Sequence, residues 1–248
     1  MNQIAAGRKR GAFNALTTFH IPARQALCRV TRILARTSPR SRSRREILSA
    51  RLTLAAPASL PELRLYRAGP ASGLSRLVSG AGAPYWAYAW AGGLALARFL
   101  IDHPATVAGK RVLDLGAGGG LVAIAAIKAG ARAATAIDVD PDAIEMIALN
   151  AEANAVGIAA FCDDPLDGPA PAVDLVLVGD LFYEADLARR VVAFLDRCRH
   201  AGIGALIGDP WRAPLPRARL ERLAEYRLAD FGDAPDAAAT ASAVFAFV

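Results

Sequence analysis

The fold is decided by the stretch Arg111-Val112-Leu113-Asp114-Leu115-Gly116-Ala117-Gly118-Gly119-Gly120, which is followed directly by Leu121–Ala129. Residues 111–115 form a short apolar run typical of a buried strand, and residues 121–129 form an apolar helical pattern. Glycines at such a turn let the backbone bend sharply and let a ligand approach where a Cβ would collide. The N-terminus of the helix adds free N–H donors. We therefore predict that residues 113–120 hold a nucleotide-like ligand.

Strand and helix patterns continue to alternate on both sides of this loop. Helices are also predicted at Gly92–Ile101, Ile144–Ala155, Ala185–His200 and Leu215–Tyr226. Further strands are predicted at Ala133–Val139, Ile158–Phe161, Val173–Val178, Ala205–Ile207, Arg227–Phe231 and Ala243–Phe247. Strands that alternate with helices form a parallel sheet with right-handed crossovers. The predicted fold class is therefore α/β, a Rossmann-like, mostly parallel, seven-stranded sheet with helices on both faces.

Basic residues are concentrated near the N-terminus. The chain has 29 Lys and Arg against 23 Asp and Glu, and 12 of the basic residues lie in residues 1–51, where Glu46 is the one acid. The remaining chain is net acidic, so its charge gives no reason to expect specific nucleic-acid binding. We predict a basic, disordered arm over residues 1–50 and one domain over residues 51–248. The arm fits a dispensable tail, a mitochondrial presequence or a functional basic segment.

Several classes of protein are disfavoured by what the sequence lacks. The three cysteines, Cys28, Cys162 and Cys198, are far apart, and the three histidines are equally scattered, so no disulfide framework, metal site or nucleophile triad is predicted. The uncharged stretch that contains residues 81–97 also contains Pro84 and the pair Gly92-Gly93, so no membrane-spanning helix is predicted there. We expect a cytoplasmic protein without a membrane segment, or a mitochondrial one if the arm is a presequence.

The carboxylate at Asp114 helps to choose between ligands for the glycine loop. In the dinucleotide fingerprint the strand runs apolar into Gly-x-Gly-x-x-Gly, whereas here Asp114 precedes Gly116 by two positions. A carboxylate at this place suits a cofactor that is cationic and carries an amino group, and it suits a pyrophosphate badly. The loop therefore points away from a nicotinamide cofactor.

Acidic residues also end the next three strands. Asp138 is predicted to accept hydrogen bonds from ribose hydroxyls, with Asp140 as the alternative, although Asp140 resembles a helix N-cap. Asp164 is predicted to contact the edge of an adenine ring, and Asp180 is the residue at the end of the fourth strand. Since ligands of open α/β sheets bind at the carboxyl ends of the strands, the four carboxylates should converge there. The competing interpretation is that all of them cap helices and turns.

At this point the sequence resembles a known family. The Asp-x-Gly-x-Gly-x-Gly loop is similar to the first motif of class I S-adenosylmethionine-dependent methyltransferases. Four segments resemble, more narrowly, the lysine methyltransferases that act on the electron-transfer flavoprotein β-subunit and their bacterial relatives: Pro84–Gly93, Val112–Ala126, Gly179–Glu184 and Gly208–Arg212. The resemblance covers roughly residues 58–248. Trp211 departs from the pattern, where a small residue is expected, and could alter the rim of the site.

The resemblance implies S-adenosyl-L-methionine as the cofactor and a protein-lysine amine as the acceptor. The cofactor would be held by Trp90 and by the loop and strand-end residues Asp114, Gly116, Gly118, Gly120, Asp138 and Asp164. Asp180, Phe182 and Tyr183 would form the floor and wall that steer the amine, although either aromatic residue could instead pack in the core. Leu181-Phe182 stand where enzymes that methylate adenine amino groups have two prolines, so a nucleic-acid base is a poor acceptor.

Other functions are also compatible with the sequence. A small-molecule N- or O-methyltransferase of the same fold is the main alternative, followed by a non-catalytic cofactor-binding module and a nicotinamide-dependent oxidoreductase, because one fold hosts many functions. We expect a monomer whose partner is a protein substrate that presents a lysine.

Overall fold

The structure is a computed structural model that describes residues 39–69, 72–73, 84–228 and 240–248. Its helices are α1 (Pro39–Arg51), α2 (Ala91–Asp102), α3 (Leu121–Lys128), α4 (Pro141–Ala153) and α5 (Ala185–His200). A small antiparallel pair is formed by β1 (Thr53–Ala55) and β2 (Leu65–Arg67). The main sheet contains β3 (Arg111–Leu115), β4 (Ala133–Asp138), β5 (Ala159–Cys162), β6 (Leu175–Gly179), β7 (Gly204–Asp209), β8 (Leu220–Leu228) and β9 (Thr240–Phe247).

The main sheet has seven strands in the order β5-β4-β3-β6-β7-β9-β8. The strands from β5 to β7 are parallel, and β9 runs antiparallel between β7 and β8. Alternate residues of a strand enter the cores on opposite faces: Val112 packs with α2 and α3, whereas Leu113 packs with α5. Burial on both faces explains why the central strands are almost purely apolar. The predicted α/β fold is confirmed.

The predicted helix Leu215–Tyr226 is wrong. The structure has a short 3₁₀ turn at Arg217–Arg219 and then strand β8, which pairs antiparallel with β9. The sequence of β8, Leu-Glu-Arg-Leu-Ala-Glu-Tyr-Arg-Leu, consists mostly of good helix formers. Helix propensity is a weak preference of a few tenths of a kcal/mol per residue, roughly, and the pairing with β9 overrides it. Of the predicted strand Arg227–Phe231, residues 227 and 228 end β8 and the rest lies outside the described residues.

The basic N-terminal segment is helical in its last part. Residues 1–38 lie outside the described residues, but α1 covers residues 39–51, so the disorder predicted up to residue 50 does not extend over this helix. Leu48 of α1 is fully buried in a cluster that contains Trp86 and Met146. Arg44 forms an ion pair with Asp142 at the first turn of α4. The end of the arm is therefore attached to the domain by apolar burial and by charge.

No helix among the described parts of the chain is both long and apolar enough to span a bilayer.

Helix α2 packs on the sheet through glycines, backbone against backbone. A Cβ built on Gly208 of β7 would lie 2.1 Å from the carbonyl oxygen of Gly92, and a Cβ on Gly92 would lie 2.4 Å from the carbonyl oxygen of Gly208. Beside them, a Cβ on Gly179 of β6 would lie 3.0 Å from the Cα of Gly93. Any side chain at Gly92 or Gly208 would push the N-terminus of α2 away from the sheet.

We expect Gly208→Ala to lower the free energy of unfolding by about 1–3 kcal/mol, because the new methyl group meets backbone that cannot move aside locally. Urea unfolding followed by circular dichroism measures the change. Gly204→Ala in the same strand is the control, since its Cβ would meet only Leu175 Cδ1, at 3.4 Å. Equal stabilities of the two variants would contradict the proposed contact.

Candidate active site

A cavity of about 880 Å³ opens at the carboxyl ends of the central parallel strands. Its wall includes the glycine loop after β3, the ends of β4 and β6, and the aromatic segment before α2. Its volume lies within the range of small-molecule and cofactor sites, roughly 300–1,000 Å³. The four carboxylates that were predicted to converge, Asp114, Asp138, Asp164 and Asp180, all line it.

The glycine loop has backbone angles that residues other than glycine adopt only with strain. Gly116, Gly118 and Gly120 have φ angles of 66°, 53° and 78°, in the left-handed region. A Cβ on Gly116 would lie 2.7 Å from Leu181 Cδ1, and one on Gly119 would lie 3.0 Å from the carbonyl oxygen of Trp86. Gly116, Gly118 and Gly119 line the cavity, whereas Gly120, which was also predicted to hold the ligand, packs towards Ile147 and does not line it.

Asp138 ends β4 and holds this loop. Its Oδ2 accepts a hydrogen bond from the backbone N–H of Gly118 at 2.7 Å, and its Oδ1 accepts from the N–H of Asp140 at 2.9 Å. Burial raises the pKa of Asp138, and these two N–H donors partly oppose the rise. Asp138 therefore connects the glycine loop to the start of α4 and presents its carboxylate to the cavity.

Asp140 has the capping role that its sequence context suggested. Its Oδ1 accepts from the N–H of Asp142 at 2.8 Å, as an N-cap of α4, and its Oδ2 accepts from the indole N–H of Trp86 at 3.0 Å. Both oxygens of Asp140, like both oxygens of Asp138, therefore accept hydrogen bonds within the protein, and the choice of Asp138 as the ligand-binding carboxylate stays a prediction.

Asp114 is more deeply buried than its predicted contact with a ligand would require. Its side chain is 2% exposed, and Oδ2 accepts from the backbone N–H of Ala123 in the first turn of α3 at 2.9 Å. Burial raises its pKa to about 7. Asp114 thus links β3 to α3, and it also lines the cavity.

Asp164 lies at the outer end of the cavity. Its Oδ1 accepts from the N–H of Leu166 at 3.1 Å, and its Oδ2 forms an ion pair with Arg190 of α5 at 2.9 Å. The side chain is 40% exposed, so it can also reach a ligand from this rim.

Asp180 anchors α2, a role that sequence reasoning missed. Its backbone is left-handed, with φ 60°, and its Oδ2 accepts from the N–H of Gly92 at 2.8 Å. Its Oδ1 forms an ion pair with Arg212, which also lines the cavity. Since both oxygens are occupied, the Asp180 carboxylate positions the wall of the cavity and is a poor proton acceptor for an amine.

Two aromatic residues lie elsewhere than predicted. Phe182 is fully buried in the core beneath α5 and does not line the cavity. Its side chain therefore packs in the core and forms no wall for the acceptor. Trp211 was expected to alter the rim, but it also does not line the cavity. Its ring packs edge-on against Phe245 of β9 at 4.9 Å between centroids, and Arg217 lies over its face.

The remaining aromatic residues form a cluster at the mouth of the cavity. Trp90 was predicted beside the cofactor and Tyr183 on the acceptor wall, and both line the cavity. Tyr85 joins them with its ring centroid 5.7 Å from Trp90 and 5.9 Å from Tyr183. Tyr88 lies 6.0 Å from Trp90 on the other side. The indole N–H of Trp90 donates to the carbonyl oxygen of Tyr85 at 2.9 Å. Tyr85 and Tyr183 are 54% and 51% exposed, so their rings face both the cavity and solvent.

Within the described residues no group of three or more His, Cys, Asp or Glu side chains is arranged to hold a metal ion.

Asp209, at the end of β7, is a buried carboxylate behind the ion pair of Asp180 and Arg212. Its Oδ1 accepts from the N–H of Arg212 at 2.7 Å, and its Oδ2 has no hydrogen-bond partner among the described residues. Burial raises its pKa to about 7, and the nearby charge of Asp180 adds to the rise. A proton on this group is therefore retained by the folded protein over a pH range in which the unfolded chain has lost it.

The difference between the pKa of Asp209 in the folded and in the unfolded protein predicts how the stability depends on pH. Because the folded-state pKa of Asp209 is raised, the folded protein binds more protons between about pH 4 and pH 7, and the free energy of unfolding falls as pH rises through that window. Asp209→Asn should be more stable than the wild type at pH 8 by about 1–3 kcal/mol, and this advantage should shrink towards pH 5.

Thermal unfolding at pH 5 to 8 measures the effect. Asp167→Asn is the control, because an ion pair with Arg190 lowers the pKa of Asp167 and its contribution is constant in this window. A parallel pH dependence for Asp209→Asn and the wild type would contradict the assignment.

Comparison with known proteins gives the family. The profile of the ribosomal protein L11 methyltransferase (PrmA) family matches residues 99–179. The electron transfer flavoprotein beta subunit lysine methyltransferase of Xenopus laevis is 43% identical over 173 residues, which cover 67% of this chain and 70% of that protein. Its Homo sapiens counterpart is 39% identical over 170 residues, which cover 66% of this chain and 65% of that protein. The glycine loop, the strand-end carboxylates and these relatives together show that the chain belongs to the S-adenosylmethionine-dependent methyltransferases, in the family of the electron transfer flavoprotein beta subunit lysine methyltransferases.

Proposed function

We propose that this methyltransferase transfers a methyl group from S-adenosylmethionine to a lysine side chain of a protein, and that the protein is an electron transfer flavoprotein β-subunit. The acceptor comes from the names of relatives that are 39–43% identical over two thirds of the chain. The observation that carries the proposal is the aromatic cluster of Tyr85, Trp90 and Tyr183 at the mouth of the cavity that the strand-end carboxylates line.

The residues of the cavity fit S-adenosylmethionine. The left-handed glycines Gly116 and Gly118 present backbone without a side chain to a ligand, and the strand-end carboxylates suit a molecule that has ribose hydroxyls and a positive charge. Gly116, Gly118 and Asp138 would hold the adenosyl part from one side, and Asp164 would meet the adenine edge. When bound, the cofactor supplies an electrophilic methyl group on a positively charged sulfur.

The acceptor amine has to be neutral before it can act as a nucleophile, because the unperturbed pKa of lysine is about 10.4. Aromatic walls remove water from the amine, and desolvation lowers the pKa of a lysine. Burial raises the pKa of Tyr183, and the charges of Asp138 and Glu184 add to the rise, so its phenol stays protonated at neutral pH and cannot act as an anionic base. We infer that the site works by desolvating and orienting the amine, which loses its proton to water as it enters.

The function is tested by incubating the enzyme with methyl-labelled S-adenosylmethionine and either purified electron transfer flavoprotein or a total lysate, followed by gel electrophoresis and mass spectrometry. The expected result is label on lysine residues of the β-subunit. Label found only in the low-molecular-weight fraction would overturn the proposal and favour a small-molecule methyltransferase.

The aromatic cluster at the mouth of the cavity leads to a prediction about the protein acceptor. Tyr85→Ala and Tyr183→Ala should each raise KM for the protein acceptor about 10-fold, because a ring that contacts the lysine contributes about 1 kcal/mol or more. The dissociation constant of S-adenosylmethionine should change less than twofold, as measured by titration calorimetry. Tyr85→Phe keeps the ring and is the control with near-normal KM. An unchanged KM in the alanine variants would show that the acceptor enters elsewhere.

The assignment of Asp138 to the ribose of the cofactor leads to a prediction about cofactor binding. Asp138→Ala should weaken cofactor binding by about 1–3 kcal/mol, because a charge-assisted hydrogen bond is lost and the Gly118 N–H loses its acceptor. Asp167→Asn, outside the cavity, should bind the cofactor normally. An unaltered affinity in Asp138→Ala would mean that another carboxylate binds the ribose.

A further inference from the structure

Three arginines line the cofactor cavity, and two of them are neutralised by carboxylates. Arg190 pairs with Asp164 at 2.9 Å and with Asp167 at 2.7 Å, and Arg212 pairs with Asp180. Arg67, the last residue of β2, differs from both. Among the described residues it has no ion pair, and its Nε is buried from solvent without a hydrogen-bond partner.

The surrounding backbone holds Arg67 firmly beside the glycine loop. The N–H of Tyr66 donates to Asn150 Oδ1 at 2.7 Å, and Asn150 Nδ2 donates to the carbonyl oxygen of Gly119 at 2.8 Å. On the other side of Arg67, the N–H of Ala68 donates to the carbonyl oxygen of Ala87 at 2.9 Å. One buried asparagine thus connects β2 to the loop, and the position of Arg67 at the cavity wall is fixed from both directions.

A guanidinium N–H group that is buried without an acceptor is costly, and this cost is offset when an anion occupies the adjoining space. The cavity has few other places for an anion, because eight of its lining residues are acidic: Asp114, Asp138, Asp140, Asp163, Asp164, Asp180, Glu184 and Asp186. S-adenosylmethionine carries one anionic group, the carboxylate of its methionine part. That carboxylate needs a cation with free donors, and Arg67 is the lining arginine that offers them.

We propose that Arg67 binds the methionine carboxylate of S-adenosylmethionine, as a charge-assisted pair that fixes this end of the cofactor opposite the adenosyl end held by Asp138. The inference rests on the cofactor and not on the acceptor, so it can fail or succeed independently of the proposed lysine substrate. Arg67 is thus a binding residue, and the strand pair of β1 and β2 is part of the cofactor site.

The test compares two ligands that differ in this one carboxylate, S-adenosylmethionine and decarboxylated S-adenosylmethionine. Their dissociation constants are measured by titration calorimetry for the wild type, Arg67→Gln and Arg67→Lys. We expect Arg67→Gln to bind S-adenosylmethionine about 10- to 100-fold more weakly and to bind the decarboxylated ligand within twofold of the wild type. Arg67→Lys should recover part of the affinity, because it keeps the charge without the fork of donors.

Arg64→Gln is the matched control, since Arg64 lies three residues away on the same segment, is exposed and does not line the cavity. It should bind both ligands like the wild type. Equal weakening of both ligands in Arg67→Gln would show a purely structural role and overturn the proposal. So would unchanged affinities combined with a raised KM for the protein acceptor, because Arg67 would then face the acceptor.

Discussion

The site depends on the direct contact between the N-terminus of α2 and the ends of β6 and β7. Gly92 and Gly208 bring two backbones so close that neither position has room for a Cβ. The carboxylate of Asp180 then accepts from the Gly92 N–H, while its own N–H donates to the Gly208 carbonyl oxygen at 2.8 Å. Steric exclusion and these two hydrogen bonds act at the same place. Together they determine where Trp90, the N-cap of α2, stands over the cavity.

Electrostatics explains why so many carboxylates at this edge are tolerated. Asp138 and Asp140 accept from backbone N–H groups, and Asp164 and Asp180 are paired with arginines. Asp114 and Asp209 are the exceptions, because burial raises the pKa of each to about 7 and keeps the carboxyl group partly protonated near neutral pH. These six carboxyl groups are therefore tolerated for different reasons: backbone donors, ion pairs with arginine or a retained proton.

Much of the fold could be predicted from the sequence, and the reasons are local. The strand, glycine loop and helix over residues 111–128 were predicted nearly residue for residue, because a buried strand and an apolar helix differ sharply in pattern around a glycine cluster. Helix α5 was predicted with the bounds it has, since it is strongly amphipathic.

The features that could not be predicted depend on tertiary contacts. The sequence of β8 is typical of a helix, and its pairing with β9 makes it a strand. Phe182 has the same sequence neighbours whether it faces a ligand or the core, and Arg67, Tyr85 and Arg212 reach the cavity from segments far apart in the chain. Asn150 carries a weak signal, as a polar residue on the buried face of α4, but nothing local says that it accepts from Tyr66.

The exposed aromatic rim has a consequence for how such an enzyme can diversify. The carboxylate of Asp180 holds the N-terminus of α2, so a substitution of Asp180 would disturb both the packing of α2 and the wall of the cavity. Tyr85 and Tyr183, in contrast, are half exposed, and their ring contacts are with the other aromatic residues of the rim. Substitutions at these two positions can reshape the entrance while the scaffold and the cofactor cradle stay as they are. The rim is thus the part of the molecule on which a new acceptor could be acquired at small cost to folding.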